Sequence, residues 1–299
     1  MGNKRSTRVQ AAKETLQIIK NGFYINQKDE RIDVDVALKN AVENSILYKA
    51  DAFEAVFDKR NEMIIKNRKE AEKQQISNEN KHKTFFEITQ ETTLEACARL
   101  SLVEKREKIF VLNFASAKNP GGGFLNGAQA QEESLARASG LYACQMANFE
   151  LYEIHRNLKS CLYTDNMLYS PNVPVFRDDD NDLLDTPYFV SFLTSPAVNY
   201  GVVVRQEEDT EPPKIAPTMI LRTEKLLSVA AEKGYKTLVL GAWGCGVFQN
   251  PVKNIADYFH LLLVENPLFI NYFDKVVFAI YQKGKEKTTV EAFKQAFKL

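Results

Sequence analysis

Residues 109–142, IFVLNFASAKNPGGGFLNGAQAQEESLARASGLY, restrict the fold more than any other stretch of the chain. Ile109 to Ala115 is an apolar, β-prone run of strand length. Asn119-Pro120 and the glycines that follow, Gly121, Gly122 and Gly123, can neither continue a strand nor open an ordinary helix. With no Cβ atoms, they let a ligand approach the backbone closely. After a second loop, Phe124 to Ala130, Gln131 opens a helix with Glu132 and Glu133 in its first turn. Carboxylates there suit the positive end of the helix dipole. Leu135, Ala138, Ser139, Tyr142, Ala143 and Met146 recur at helical spacing, so one helix over 131–149 is expected to pack closely on a sheet. Strand, glycine loop and acidic helix start together make a cleft. The loop offers N–H groups to an anion or a sugar, and the glutamates offer acid–base chemistry beside it. A lone GGG would read as a simple turn. GGG, seven residues and then QEE, set between a strand and a helix, favours a functional site.

A second glycine loop, Gly241-Ala242-Trp243-Gly244-Cys245-Gly246-Val247-Phe248, lies between an apolar strand, Thr237 to Gly241, and a helix expected over 254–263. It therefore sits at a strand C-terminus, where open α/β sheets bind ligands. Successive N–H groups in such a loop form an anion nest, and the next helix N-terminus can add its dipole. By itself the loop reads equally well as a tight turn around a buried tryptophan. Together with the Gly121 loop it favours a nucleotide diphosphate. Cys245 has no histidine nearby in sequence and reads as a packing residue, not a nucleophile. Phe248 closes the loop at the strand mouth and is expected to meet ligand, with a core phenylalanine as the competing reading.

These residues carry a resemblance. GGG followed after six to eight residues by QEE resembles the signature of poly(ADP-ribose) glycohydrolases, and LNFASAKNPGGGFLNGAQAQEESLARASGLY is similar to the microbial-type branch. The resemblance runs from about Thr7 to the C-terminus and is strongest from Phe110 onward. It implies a macrodomain-like fold, ADP-ribose binding, and hydrolysis of the ribose–ribose O-glycosidic bond. Carried onto this chain, it makes Glu133 the acid that protonates the leaving oxygen and later takes a proton from water. Glu132 would hold ribose hydroxyls and Gln131 would shape the site. Gly121, Gly122 and Gly123 would line it, and Gly244, Cys245, Gly246, Val247 and Phe248 would form the phosphate loop, with Phe248 against the ribose being released. Asn119 is expected to touch the terminal ribose. Other glycohydrolases carry Phe-Ala-Asn before the glycines, where this chain has Phe114-Ala115-Ser116, so Ser116 competes for that role. Adenine contacts are expected from Val173–Phe176 or from Pro196–Asn199. Two rivals stand beside this reading: a non-catalytic ADP-ribose reader, and a hydrolase removing a single ADP-ribose from protein or nucleic acid. A reader needs the loops but not the paired acids.

Charge and composition narrow the remaining classes. Lys plus Arg equals Asp plus Glu, 39 each, which argues against a broad nucleic-acid surface and sequence-specific binding. No apolar stretch is long enough to span a bilayer, and the N-terminus lacks a secretory core. The four cysteines show no paired metal-like spacing and the three histidines form no ligand-like pair, so neither a metal nor a cofactor is expected and the setting reads as intracellular. Asp178 to Asp180 lacks the glycine and glutamate spacing of a calcium loop and reads as a solvated turn. The expected partners are poly(ADP-ribose), ADP-ribose and ADP-ribosylated proteins.

Strands alternating with helices indicate an α/β fold, here a mixed sheet flanked by helices. A mostly helical extension is expected over 1–83, its charged segment 58–83 a solvated helix running into a mobile loop, and the catalytic domain over 84–299, the two expected to form one compact unit. The pattern predicts helices over 6–20, 35–48, 92–105 (Leu94, Ala98 and Leu102 inward), 218–233 and 288–299, and a surface loop over 205–217.

Overall fold

The computed structural model describes residues 4–73, 83–206, 211–282 and 288–299. In chain order, helix α1 (Lys4–Asn21) precedes strands β1 (Phe23–Ile25) and β2 (Arg31–Asp33), helix α2 (Asp35–Glu43), strand β3 (Ile46–Tyr48) and helix α3 (Phe53–Lys73). Next come β4 (Phe85–Thr89), α4 (Thr93–Ala98), β5 (Ile109–Phe114), α5 (Gln131–Ala138), α6 (Leu141–Ala147) and α7 (Glu150–Arg156). The long strands β6 (Met167–Arg177) and β7 (Leu183–Ser195) lead to α8 (Tyr200–Gln206) and α9 (Ile215–Glu232). The chain ends with β8 (Thr237–Leu240), α10 (Val252–His260), β9 (Lys275–Ala279) and α11 (Thr288–Phe297). No helix of the described residues is long and apolar enough to cross a membrane.

The fold is mixed α/β and divides into two compact units. The first comprises Met1–Tyr48, Glu91–Lys159 and Asn166–Pro196; the second comprises Lys49–Gln90, Ser160–Asp165 and Ala197–Leu299. Both draw on residues before 84, so the expected boundary there does not coincide with this division.

In the first unit β3 and β6 run antiparallel, as do β6 and β7, while β5 joins β7 in parallel, making a mixed sheet. Phe110, Val111, Leu112 and Asn113 of β5 have no exposed surface. A strand covered on both faces needs a continuous apolar run, which is why this one shows no alternation. Helix α1 is joined to the start of β7 through the β1–β2 hairpin, where the Tyr24 hydroxyl donates to Leu184 O at 2.8 Å. Ile18, Tyr24, Val34, Leu38 and Phe176 form a core beneath it.

In the second unit β8, β9 and β4 pair in parallel. Arg60 of α3, 5% exposed, donates to Glu224 Oε1 at 3.0 Å and Ser228 Oγ at 2.9 Å, which ties α3 to α9. Val290, Phe293 and Phe297 of α11 are buried, with Phe297 against Phe278 and Phe86.

Several expected elements end elsewhere for local reasons. The helix expected over 131–149 is three helices. Ser139 is extended, bridges Val175 of β6, and uses its hydroxyl to bond both Leu135 O and the Leu141 N–H. The helix expected over 35–48 stops at Glu43, because Ile46-Leu47-Tyr48 pairs with β6. After α4 a wider turn, Arg99–Val103, carries Leu100 inward and leaves Leu102 43% exposed, so Leu102 is not a core residue. Pro217 lies inside the first turn of α9, where no N–H is required, and the helix starts at Ile215. Part of the loop expected over 205–217 is α8, and 207–210 lie outside the described residues, as do residues 74–82 of the segment 58–83 that was expected to run into a mobile loop. The Asp178 carboxylate accepts the Asp180 and Asp182 N–H groups and closes the turn before β7.

Candidate active site

In the first unit, β5 and α5 bring the acidic motif together with its supports. Glu132 is 3% exposed. Its Oε1 accepts from Asn113 Nδ2 at 3.2 Å and Gln145 Nε2 at 2.9 Å, and its Oε2 accepts the Ser116 N–H at 2.6 Å. Burial pushes this carboxyl up to about 8; the three donors pull it back and the charge of Glu133 adds to the rise. Glu133, one residue further on α5, is only partly buried, and its Oε1 accepts the Gly123 N–H at 3.0 Å. Gln131 uses its amide on β5, donating to Leu112 O at 2.8 Å and accepting the Phe114 N–H at 2.8 Å. It therefore fixes where the strand meets the helix.

The glycine loop is closed on itself. The Gly122 N–H donates to Asn119 O at 3.0 Å, and that of Gly123 goes to Glu133. The free N–H groups expected here are spent at both positions. Gly122 has φ +57, and a Cβ there would strike Glu133 Oε1. Glycine is required so that the glutamate can lie against the backbone. The next loop is held by Arg5 Nε on Asn126 O at 3.0 Å, Arg8 Nε on Gly127 O at 2.8 Å, and Arg137 Nη1 on Ala128 O at 2.8 Å.

Asn119 is exposed, its N–H on Ser116 Oγ at 3.2 Å, while Arg156 Nε donates to the neighbouring Lys118 O at 2.7 Å. Ser116 reaches Glu132 through its backbone. Sequence reasoning missed Asn113 and Gln145, both without exposed surface. The available signal was an asparagine inside a fully apolar strand, because a buried amide must find partners.

In the second unit the loop 241–248 is open where the first is closed. Trp243 is buried and anchors it. Gly244 has φ +73, and a Cβ there would lie 2.5 Å from Ala197 Cβ and 2.6 Å from Asn250 Nδ2, so this glycine is a packing requirement. Buried Asn250 donates to Val198 O at 2.8 Å and Gly244 O at 3.1 Å. Gly246 has nothing within 4 Å of its Cβ position, and Val247 is 83% exposed. Among the described residues, the N–H groups of Gly244, Gly246, Val247 and Phe248 have no protein acceptor. These N–H groups are the kind of donors from which an anion nest is built. Burial pushes the Cys245 thiol up to about 12, which removes it as a nucleophile. Phe248 lies 6.1 Å from Tyr163, a residue that sequence reasoning passed over. Tyr163 has φ +57 and its segment is held by Arg222, which donates to Leu162 O at 2.9 Å and Asp165 Oδ1 at 2.8 Å. Among the described residues, no group of three or more His, Cys, Asp or Glu could hold a metal ion.

Fold and site together define a macrodomain-like α/β protein with a paired-glutamate loop site. The model of the microbial-type PARG catalytic domain matches residues 12–178. Poly(ADP-ribose) glycohydrolase from Thermomonospora curvata bound to the inhibitor ADP-HPD is 36% identical, with a TM-score of 0.84 over 97% of this chain and 99% of that one. Another structure of the Thermomonospora protein is 37% identical, TM-score 0.85, over 98% and 100%. The Deinococcus radiodurans poly(ADP-ribose) glycohydrolase in complex with ADP-ribose is 36% identical, TM-score 0.76, over 87% and 96%. No curated protein sequence matches. The chain belongs to the microbial-type PARG family, the poly(ADP-ribose) glycohydrolases.

Proposed function

We propose that this chain carries out the reaction of its family, hydrolysis of ribose–ribose O-glycosidic bonds in poly(ADP-ribose), with Glu133 as general acid and base. The observation that carries the assignment is the unequal exposure of the two glutamates. Glu132 is buried under three donors, whereas Glu133 lies partly exposed against the glycine loop. The second offers the more accessible carboxyl to the leaving oxygen. In the reaction the C1″–O bond breaks, the leaving oxygen takes the Glu133 proton, and the ribosyl carbon becomes oxocarbenium-like. Water then bonds to that carbon and gives its proton to Glu133, restoring the acid. Glu132 holds ribose hydroxyls through the remaining lone pair of Oε2. Gln131 keeps α5 in register with β5.

The nest from Gly244 to Phe248 takes the diphosphate through backbone N–H groups, and Phe248 packs against ribose. Asn119 or Ser116 supplies the remaining contact to the terminal ribose. The substrates include polymer carried on ADP-ribosylated proteins inside the cell, met without a membrane or sequence-specific nucleic-acid contact.

Glu133→Gln tests the reading, since it keeps shape but cannot cycle a proton. Polymer hydrolysis is expected to fall by at least about 10²–10⁴-fold, the usual contribution of a general acid–base group, while ADP-ribose affinity changes little. Turnover near the wild-type rate would move the chemistry to another acid. Tight polymer binding with no hydrolysis by the wild type would make the chain a reader.

A further inference from the structure

Arg137 stands one turn after Glu133 on α5 and is only 3% exposed. Burial, then the charge of Arg8, push its guanidinium down to about 10, so it stays cationic at neutral pH. Its donors go to neutral groups. Nη1 donates to Ala128 O at 2.8 Å, and Nη2 donates to Gln129 Oε1 and to Ser134 Oγ at 3.4 Å. Gln129 Nε2 joins the same hydroxyl at 3.1 Å. A buried cation loses much of its hydration, and neutral acceptors replace only part of it. Methionine or leucine would fill the same space without that loss. The guanidinium is therefore explained by what it holds, the loop between GGG and QEE.

Ala128 links this hold to Glu133. Its N–H donates to Gly123 O at 3.2 Å, and its Cβ lies 2.9 Å from the place a Gly123 Cβ would take. The Gly123 N–H in turn donates to Glu133 Oε1 at 3.0 Å. The contacts close a ring: Glu133 carboxyl, Gly123, Ala128, Arg137 guanidinium, and one turn of α5 back to Glu133. Helix α1 backs the ring, with the Thr15 hydroxyl donating to Arg137 O and Arg8 Nε donating to Gly127 O at 2.8 Å. A partly exposed glutamate has rotamer freedom to lose, and one hydrogen bond to an untethered loop would hold it poorly. Rate depends on keeping a reacting atom within a fraction of an ångström of its place. On the reading that Glu133 is the acid, we propose that Arg137 is a positioning residue, which keeps the glycine loop against the Glu133 carboxyl and so fixes the place of that carboxyl in the cleft. Being buried, the guanidinium acts through Gly123 and Glu133, not on substrate.

Arg137→Met is the test, with a thermal melt beside turnover. On polymer, kcat is expected to fall about tenfold, a misplacement smaller than the ~1 Å that costs on the order of 10²-fold. KM and ADP-ribose affinity are expected within about threefold of wild type, since the lost contacts act on the reacting group and not on binding. Hydrogen exchange of the Gly123 amide, read by NMR, should quicken at least about tenfold, because its bond to Glu133 opens more often. In the Glu133→Gln background, Arg137→Met should alter the residual rate by less than about twofold, because no acid is left to misplace. An equal loss in that background, a matching loss of affinity, or kcat at the wild-type value overturns the proposal. So does full recovery of kcat in Arg137→Lys, which keeps the charge but not the two-pronged guanidinium. If Arg137→Met does not fold, Gln129→Ala decides, since Gln129 is exposed and its loss removes one acceptor of the guanidinium. It should speed Gly123 exchange and lower kcat about threefold, and unchanged values overturn the proposal. A fully active Glu133→Gln overturns the assignment of the acid instead, and Gly123 exchange still reports whether Arg137 holds the loop.

Discussion

The two glycine loops use the same residue for opposite purposes. Around Gly122 and Gly123 the absence of Cβ lets a protein side chain, Glu133, lie against the backbone, and the N–H groups there are already taken. Around Gly246 the absence of Cβ faces open space, and four N–H groups have no protein acceptor among the described residues. On the proposed function, the first loop prepares a side chain for chemistry and the second offers bare backbone for binding. The same sequence signal, adjacent glycines after a strand, then divides into a proposed catalytic loop and a proposed binding loop according to what occupies the space a Cβ would fill.

The largest effect that could break this contrast comes from Gly122. Gly122→Ala must accept φ +57 with a methyl group at Glu133 Oε1, so the carboxyl is displaced. A shift of about 1 Å in a reacting group can cost on the order of 10²-fold, and kcat is expected to fall by that amount with ADP-ribose affinity little changed. Turnover and calorimetry on the same sample check it. A loss confined to affinity would show that the first loop binds in the manner of the second.

Next in size is the pH dependence of stability, which only the first loop should show. Glu132 is pushed up to about 8 by burial, above the ordinary carboxyl range of an unfolded chain. Between those limits the folded state binds more protons than the unfolded state, so stability falls as pH rises. The contribution is fully present below the unfolded value and lost as pH passes through about 8. Wild-type protein should lose on the order of 2 kcal/mol between pH 5 and 8 relative to Glu132→Gln, allowing for sharing of the shift with Glu133. Denaturant melts of both proteins across that range give the difference. Parallel pH curves would mean that Glu132 is not buried in the way its contacts indicate.

Much of this contrast was legible in the chain itself. Strand β5 announced itself by an unbroken apolar run, the loops by their glycines, and the start of α5 by acids in its first turn. Ser139 was not legible: its helical spacing is intact, and the break comes from a bridge to Val175, a partner far along the chain. Leu102 and Leu100 exchanged places because a wider turn shifts the register, which leaves no mark in apolar periodicity. Asn113 and Gln145 were hidden for a related reason. Each occupies a core position of an ordinary strand or helix, and only the carboxylate they share reveals their purpose. Expecting free N–H groups in both loops was right for one, because sequence cannot tell whether a neighbour will use them.

The smallest expected effect sharpens the comparison within the second loop alone. Gly244 and Gly246 are two residues apart, yet the surroundings assign them different work. Gly244→Val would have to hold φ +73 with its side chain driven into Ala197 and Asn250, so the loop and its anchor should be destabilised. The Cβ of Gly246→Val meets no protein atom within 4 Å, and the fold should melt at the wild-type temperature. Its side chain would instead crowd a loop in which the N–H groups of Gly246, Val247 and Phe248 have no protein acceptor among the described residues. ADP-ribose affinity is therefore expected to fall about tenfold, as when one or two charge-assisted hydrogen bonds to phosphate are lost, each worth on the order of 1.5–3 kcal/mol and partly recovered by water. Calorimetry with ADP-ribose, beside a thermal melt of each variant, separates the two glycines. If Gly246→Val binds as wild type does, the diphosphate does not lie on this nest, and the open N–H groups need another explanation. If it unfolds, the loop is held by contacts that its open Cβ position does not show.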